Sequence, residues 1–205
     1  MKINIIKHPL TIALVGNPNV GKSVLFGHLT GKYVHVANYP GTTVELTYGH
    51  SHVNGCRYTV IDTPGVHSLL PMTDDERVAR DIVVDGKTDG VIQVADTKNL
   101  RRSLFLSLQL RQMGIPFILV LNMGDEAAAC GIRVDRNKLS ALLGVPVVET
   151  VAVKKKGLEE LRERLVHFAK PLLSPRPIPA EEELRLDGAK IRKVDEILAQ
   201  VLQQK

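Results

Sequence analysis

The chain has 205 residues, 44% of them hydrophobic and 24% charged, which suits one domain with a full core plus an appendage and excludes a disordered segment. A net charge of +5 fits either an acidic partner (nucleotide, RNA or an anionic membrane surface) or simply a basic solvated surface. With 4% aromatics and no Trp there is no stacking platform for single strands, so no nucleic-acid partner is expected.

Met1–Lys7 lacks the continuous apolar stretch of a secretion signal, and the chain as given reads as cytoplasmic. Residues 11–15, Thr-Ile-Ala-Leu-Val, form an apolar run that predicts a buried strand, and residues 22–30 predict a helix. Between them lies Gly16-Asn17-Pro18-Asn19-Val20-Gly21-Lys22-Ser23. Strand, glycine-bounded loop, Lys-Ser and helix make a phosphate-binding loop. Gly16 and Gly21 let backbone N–H groups curl toward phosphate oxygens, and the helix start adds unpaired N–H groups. Lys22 supplies a positive charge, and the Ser23 hydroxyl is a ligand for Mg²⁺. Asn17 through Val24 are therefore the candidate phosphate-contacting residues, by name Asn17, Pro18, Asn19, Val20, Gly21, Lys22, Ser23 and Val24.

Residues 31–43 carry the breakers Gly31, Asn38, Pro40 and Gly41 and read as a loop. Val44, Leu46 and Tyr48 alternate, as do Tyr58 and Val60, and Asn54-Gly55 between them is a hairpin signal. Asp62-Thr63-Pro64-Gly65 ends the second of these strands, and Asp74-Asp75 starts a helix through Val84. Three strand–helix repeats follow: strand 90–95 with helix 100–113, the apolar strand 116–121 with a helix capped by Asp135 and ending at Leu143, and strand 146–148 with helix 157–170. The alternation predicts an α/β fold, a mainly parallel six-stranded sheet with one antiparallel strand and helices on both faces. Ligands in such sheets lie at the C-terminal strand ends, where the phosphate loop, Asp62 and Asn122 all fall. Residues 1–170 are thus read as the nucleotide domain and the Pro-rich 171–179 as a linker. In 180–205 the spacing of Ile191, Val194, Leu198 and Val201 predicts a helix with an apolar stripe, to be buried on the main domain, in a dimer, or in a further helical domain.

Asn122-Met123-Gly124-Asp125 names the base. A fixed carboxylate at Asp125 accepts from both N1–H and the 2-amino group of guanine, and adenine offers neither donor there. Asn122 would hold the loop and approach the O6/N7 edge, and the unbranched Met123 stem can lie along the base. Asp62 would reach Mg²⁺ through water, and the Gly65 N–H would meet the γ-phosphate. Thr42-Thr43 offers a hydroxyl that closes on Mg²⁺, giving two switch segments near 33–45 and 62–81. Val66 stands where a water-orienting Gln is common and cannot play that part. His67 is the nearest titratable alternative.

These motifs together resemble the translation-factor-related GTPases. Within that group, Asn38-Tyr39-Pro40-Gly41-Thr42-Thr43-Val44-Glu45, Asp96 with Asn99-Leu100, residues 121–127 and Gly144-Val145-Pro146-Val147-Val148 resemble the ferrous iron transport protein B (FeoB) family over about residues 10–170. The resemblance implies a Ras-like P-loop GTPase (G) domain, the cytosolic switch of a ferrous iron transporter. Its partners would be GTP/GDP and a membrane permease portion at the cytoplasmic face of the cell membrane. It points to Thr43 as the Mg²⁺ threonine and places the last base-contacting loop at Val151-Ala152-Val153, with the Ala152 N–H in contact. With Asn19 in the phosphate loop and a structured switch, the chain also resembles potassium-activated GTPases, which implies K⁺ beside the phosphates with Asn19 and carbonyls near Ala37 and Tyr39 as ligands. Lys22, Asn19, Thr43 and Gly65 are then the catalytic set. The alternatives are a stand-alone ribosome- or tRNA-associated GTPase, and a nucleotide-binding module with negligible turnover. His50 and His52 share a strand face but bring no third metal ligand, and Lys154-Lys155-Lys156 reads as a charged loop.

Overall fold

A computed structural model describes residues 9–31, 34–53, 55–85, 88–168 and 181–204. Strand β1 (Leu10–Gly16) is the central strand, hydrogen-bonded in parallel to β4 (Cys56–Asp62) on one side and β5 (Gly90–Asp96) on the other. The sheet continues through β6 (Phe117–Asn122) to β8 (Val147–Glu149), and outward from β4 through β3 (Glu45–Val53) to β2 (Val34–Asn38). The order is β2-β3-β4-β1-β5-β6-β8, seven strands rather than the six expected. The additional strand is β2, inside the segment read as a loop. Of the seven, β3 alone runs against the rest, pairing antiparallel with both β2 and β4.

Side-chain alternation on β1 distributes the core. Leu10, Ile12 and Leu14 face α1 (Lys22–Leu29) and α6 (Leu158–Phe168) in one apolar cluster. Ala13 and Val15 face a second cluster built with α2 (Asp74–Val84), α3 (Leu100–Gln112) and α5 (Arg136–Leu143). Strand β6 is buried at every position, as its unbroken apolar run requires for a strand covered on both faces. The Asp135 carboxylate caps α5 by accepting from the Lys138 N–H at 3.0 Å, and Gly144 ends that helix with φ 68°, a left-handed turn that glycine adopts without strain.

Beyond α6, the chain resumes with α7 (Glu181–Leu184) and α8 (Gly188–Val201). The Pro-rich stretch 171–179 and the end of the predicted helix 157–170 lie outside the described residues. Val194, Ile197 and Val201 of α8 are fully buried in the second cluster, where α8 packs on α3 and α5. Arg101 forks onto both oxygens of Asp195 at 2.9 and 3.2 Å, and β9 (Leu202–Gln204) pairs antiparallel with the short β7 (Ile132–Val134). The fully buried Gln109 amide joins three segments. Its Nε2 donates to the Ser68 hydroxyl at 2.9 Å and to the Leu184 carbonyl at 2.8 Å, and its Oε1 accepts from the Leu69 N–H at 2.9 Å. Among the described residues no helix is long and apolar enough to cross a membrane, and no group of three His, Cys, Asp or Glu side chains could hold a metal ion.

Candidate nucleotide site

Three loops converge at the C-terminal ends of β1, β4 and β6. The loop between β1 and α1 turns sharply because Asn19 adopts φ 61° and Gly21 φ 90°. A Cβ on Gly21 would stand 2.4 Å from Asn122 Nδ2, so glycine is required there by close approach as well as by conformation. Lys22 opens α1 with its side chain buried. Its ammonium donates to the carbonyls of Gly16 and Asn17, both at 3.2 Å. Burial lowers the Lys22 pKa, and the nearby Asp62 charge pulls it partly back. An ammonium has three hydrogens, so one remains for a phosphate.

The Ser23 hydroxyl donates to Asp62 Oδ2 at 2.7 Å. The other oxygen, Asp62 Oδ1, is buried and lacks any hydrogen-bond partner. Burial raises the Asp62 pKa, against the Ser23 hydrogen bond and the Lys22 charge, which lower it. A buried orphan carboxylate oxygen beside a hydroxyl is a hard oxygen donor set, and it fits Mg²⁺.

The segment after Asp62 is tied to the first loop. Val66 donates its N–H to the Gly16 carbonyl at 3.0 Å, and its side chain is fully buried in the second cluster. A Cβ on Gly65 would lie 2.8 Å from the Pro18 Cα, so the backbone of 65 sits against the phosphate loop. His67 Nδ1 lies 2.8 Å from Asn17 Nδ2. With the amide as donor, the ring proton belongs on Nε2. Asn17 Oδ1 in turn accepts from the Ser103 hydroxyl of α3 at 3.2 Å, and the Ser103 carbonyl accepts from Gln93 at 2.7 Å. The sequence offered no sign of this network, because its members are up to 86 positions apart.

In the preceding switch the two threonines divide. Thr42 donates its hydroxyl to the Tyr39 carbonyl at 3.0 Å, whereas Thr43 is exposed. The Tyr39 carbonyl also accepts the Thr42 N–H at 3.0 Å. Both its lone pairs are used, so this expected K⁺ ligand is committed to a turn, while Asn19 is exposed.

Asn122 is the keystone of the base side. Its Nδ2 donates to the Val20 carbonyl at 3.0 Å, and its Oδ1 accepts from the Thr150 hydroxyl at 2.9 Å and the Ala152 N–H at 3.0 Å. The Thr97 hydroxyl fixes its backbone carbonyl at 2.6 Å. The Ala152 N–H, the expected base-contacting group, thus donates to Asn122 alongside the Thr150 hydroxyl. Val151 is buried and Val153 is 75% exposed. Met123 takes φ 61° and precedes α4 (Gly124–Ala129), which presents Asp125 in its first turn. Asp125 Oδ2 accepts from the Lys154 ammonium at 2.6 Å, which lowers the Asp125 pKa, and Oδ1 accepts from the Glu126 N–H at 3.1 Å.

Comparison with known proteins agrees with this geometry. The family model described as ferrous iron transport protein B matches residues 10–165. The Fe(2+) transporter FeoB of Escherichia coli K12 is 41% identical over 180 residues, 80% of this chain and 23% of that protein, and FeoB of Salmonella typhimurium LT2 is equally similar over 179 residues. The chain thus spans about a quarter of the length of these relatives. Among solved structures, the cytosolic domain of the T. maritima FeoB iron transporter in a GDP form superposes with a TM-score of 0.83 at 30% identity, covering 96% of this chain and 99% of that one. The isolated T. maritima G domain gives 0.73 at 43% identity, covering 80% of this chain and all of that one. The fold is that of a Ras-like P-loop GTPase, and the chain belongs to the ferrous iron transport protein B (FeoB) family.

Proposed function

We propose that this chain binds GTP and hydrolyses it to GDP and phosphate, as the cytosolic switch of a ferrous iron transporter whose membrane permease portion is its partner. The observation that carries the reading is Asn122. One buried amide ties the phosphate loop at Val20 to the two loops of the base site, so phosphate and guanine positions are held at a fixed separation. An amide nitrogen has two hydrogens, and the one not given to Val20 is free in principle for the O6/N7 edge. The related T. maritima cytosolic domain was crystallised in GDP and GMPPNP forms, which supports a guanine nucleotide as ligand.

Ser23, Asp62 and, on switch closure, Thr43 would hold Mg²⁺, which supplies charge neutralisation between the β- and γ-phosphates when bound. Lys22 places its ammonium against the same phosphates, and the Gly65 backbone, held against Pro18, offers its N–H to the γ-phosphate. Buried Val66 cannot orient water, so slow intrinsic turnover is expected. Asn19 is the side chain we assign to K⁺. Because the Tyr39 carbonyl is committed to Thr42, the 39–42 turn would have to open before that carbonyl could join. Residues 181–204 we read as the start of a helical part that follows the G domain.

Phosphate release from GTP tests the proposal. Turnover should require Mg²⁺, stop in excess chelator, and run at least about tenfold faster in KCl than in NaCl. Equal rates in the two salts remove K⁺ from the reading. GDP binding without measurable release would make the chain a binding module.

A further inference from the structure

The lysine run at 154–156 is left unexplained by nucleotide chemistry alone. Lys154 lies within a tight turn held by Val151 N–H to Lys156 carbonyl at 3.1 Å, Lys156 N–H to Val151 carbonyl at 3.2 Å and Lys154 N–H to Val151 carbonyl at 2.9 Å. Lys155 takes φ 57° and Gly157 φ 80°. A Cβ on Gly157 would stand 2.0 Å from the Glu149 carbonyl, so the turn is pressed onto the end of β8. Its start hangs on Asn122 through Thr150 and Ala152. Asp125 lies three residues after Asn122, so the roots of Lys154 and Asp125 are fixed by one buried amide. The lysine therefore reaches the carboxylate from a preset distance, with only its own side-chain freedom to lose.

We infer that Lys154 is an internal competitor for the guanine-reading carboxylate, one that weakens guanine nucleotide binding and hastens GDP release. This rests on the guanine reading of Asp125 given above. The Lys154 ammonium donates to Asp125 Oδ2 at 2.6 Å. A guanine needs both Asp125 oxygens, one for N1–H and one for the 2-amino group. The ammonium already sits on one of the two oxygens that the base must use, so base and Nζ compete for Oδ2. The Lys154 side chain is 66% exposed and that of Asp125 34%, which makes the pair a screened surface one that the base can open. Each departure of GDP is assisted by the lysine returning to Oδ2.

The test is equilibrium binding and dissociation of GDP, by calorimetry and by chase of a fluorescent GDP analogue. The proteins are the parent, Lys154→Met, which keeps the stem and loses the charge, and Lys154→Arg, which keeps the charge. Lys154→Met should bind GDP about two- to fivefold more tightly, the range of an exposed ion pair, mainly through slower dissociation. Lys154→Arg should stay near the parent. In an Asp125→Ala background, titrated at millimolar nucleotide, the gain from Lys154→Met should vanish. Unchanged or weaker GDP binding by Lys154→Met overturns the inference, as does an equal gain in the Asp125→Ala background. A parent protein that does not prefer GDP over ADP overturns the guanine reading instead.

Discussion

Asp125→Ala should lose about 10³-fold or more of the preference for guanine over adenine nucleotides, read as the ratio of GDP to ADP dissociation constants. Asn122 is largely engaged in holding loops together and the Ala152 N–H donates to Asn122, which leaves Asp125 as the main group at this edge to tell the two bases apart. Asp125 carries the distinction because guanine presents two donors where adenine presents an acceptor. The Lys154 hydrogen bond lowers the Asp125 pKa further below its ordinary value, so the carboxylate is the accepting form. The loss should come with little change in folding. The Asp125 side chain is partly exposed and, among the described residues, bonds to Lys154 and to local backbone N–H groups, and such surface changes shift stability by about 0.5 kcal/mol or less. A variant that kept its guanine preference would move base recognition elsewhere.

Lys22→Met should lower kcat/KM for GTP by about 10²–10³, the usual cost of removing one fixed donor from charge that develops in the transition state. The effect is large because the Lys22 ammonium is buried and already oriented by the Gly16 and Asn17 carbonyls, so little reorganisation accompanies its use. Methionine keeps the stem in place. The pH dependence has a definite sign. Burial lowers the Lys22 pKa below its ordinary value, and phosphate favours the charged form. Affinity should be full below that lowered value and decline as pH rises through it toward 10.5. The methionine variant should lack this alkaline limb. In the free protein the same group works oppositely. The unfolded chain holds the Lys22 proton to higher pH than the folded one, so this residue's contribution to stability grows as pH rises through the same window. Nucleotide titrations and thermal melts between neutral and alkaline pH distinguish the two.

Local patterns made most of the sheet readable. The phosphate loop, the Asp62 strand end, the buried run of β6 and the Asp135 cap each sit within a few residues of the signals that define them. Strand β2 was not readable for a physical reason. Its alternating Val34 and Val36 are 50% and 52% exposed, so its apolar side chains do not mark a buried face. The strand exists because its backbone pairs with β3 at the sheet edge, and its short Val34/Val36 alternation is outweighed in the sequence by the flanking breakers Gly31, Asn38, Pro40 and Gly41. β7 and β9 were hidden likewise, since each has three residues and needs the other, from 132–134 to 202–204, to be a strand at all. In the site, Ser23, Asp62, Asn122 and Asp125 follow from motif chemistry. The Ser103–Asn17–His67 chain, the Ala152 N–H turned to Asn122 and the Lys154 contact are products of tertiary proximity, and no window of sequence contains both ends of any of them.

The Gln109 amide has one more consequence, for the way the molecule opens. The Leu69 N–H is donated to a side chain, and that side chain is held at its other end by the Leu184 carbonyl and by Ser68. Exchange of the Leu69 amide proton with solvent therefore requires Gln109 to let go, and Gln109 is buried under the C-terminal pair of helices as well as under the turn at 68–70. Local unfolding of α7–α8 and local unfolding of the segment after Asp62 consequently draw on the same buried amide. Protection of the Leu69 amide should therefore fall when α7–α8 is destabilised, a change that hydrogen exchange would read at a position 115 residues before Leu184.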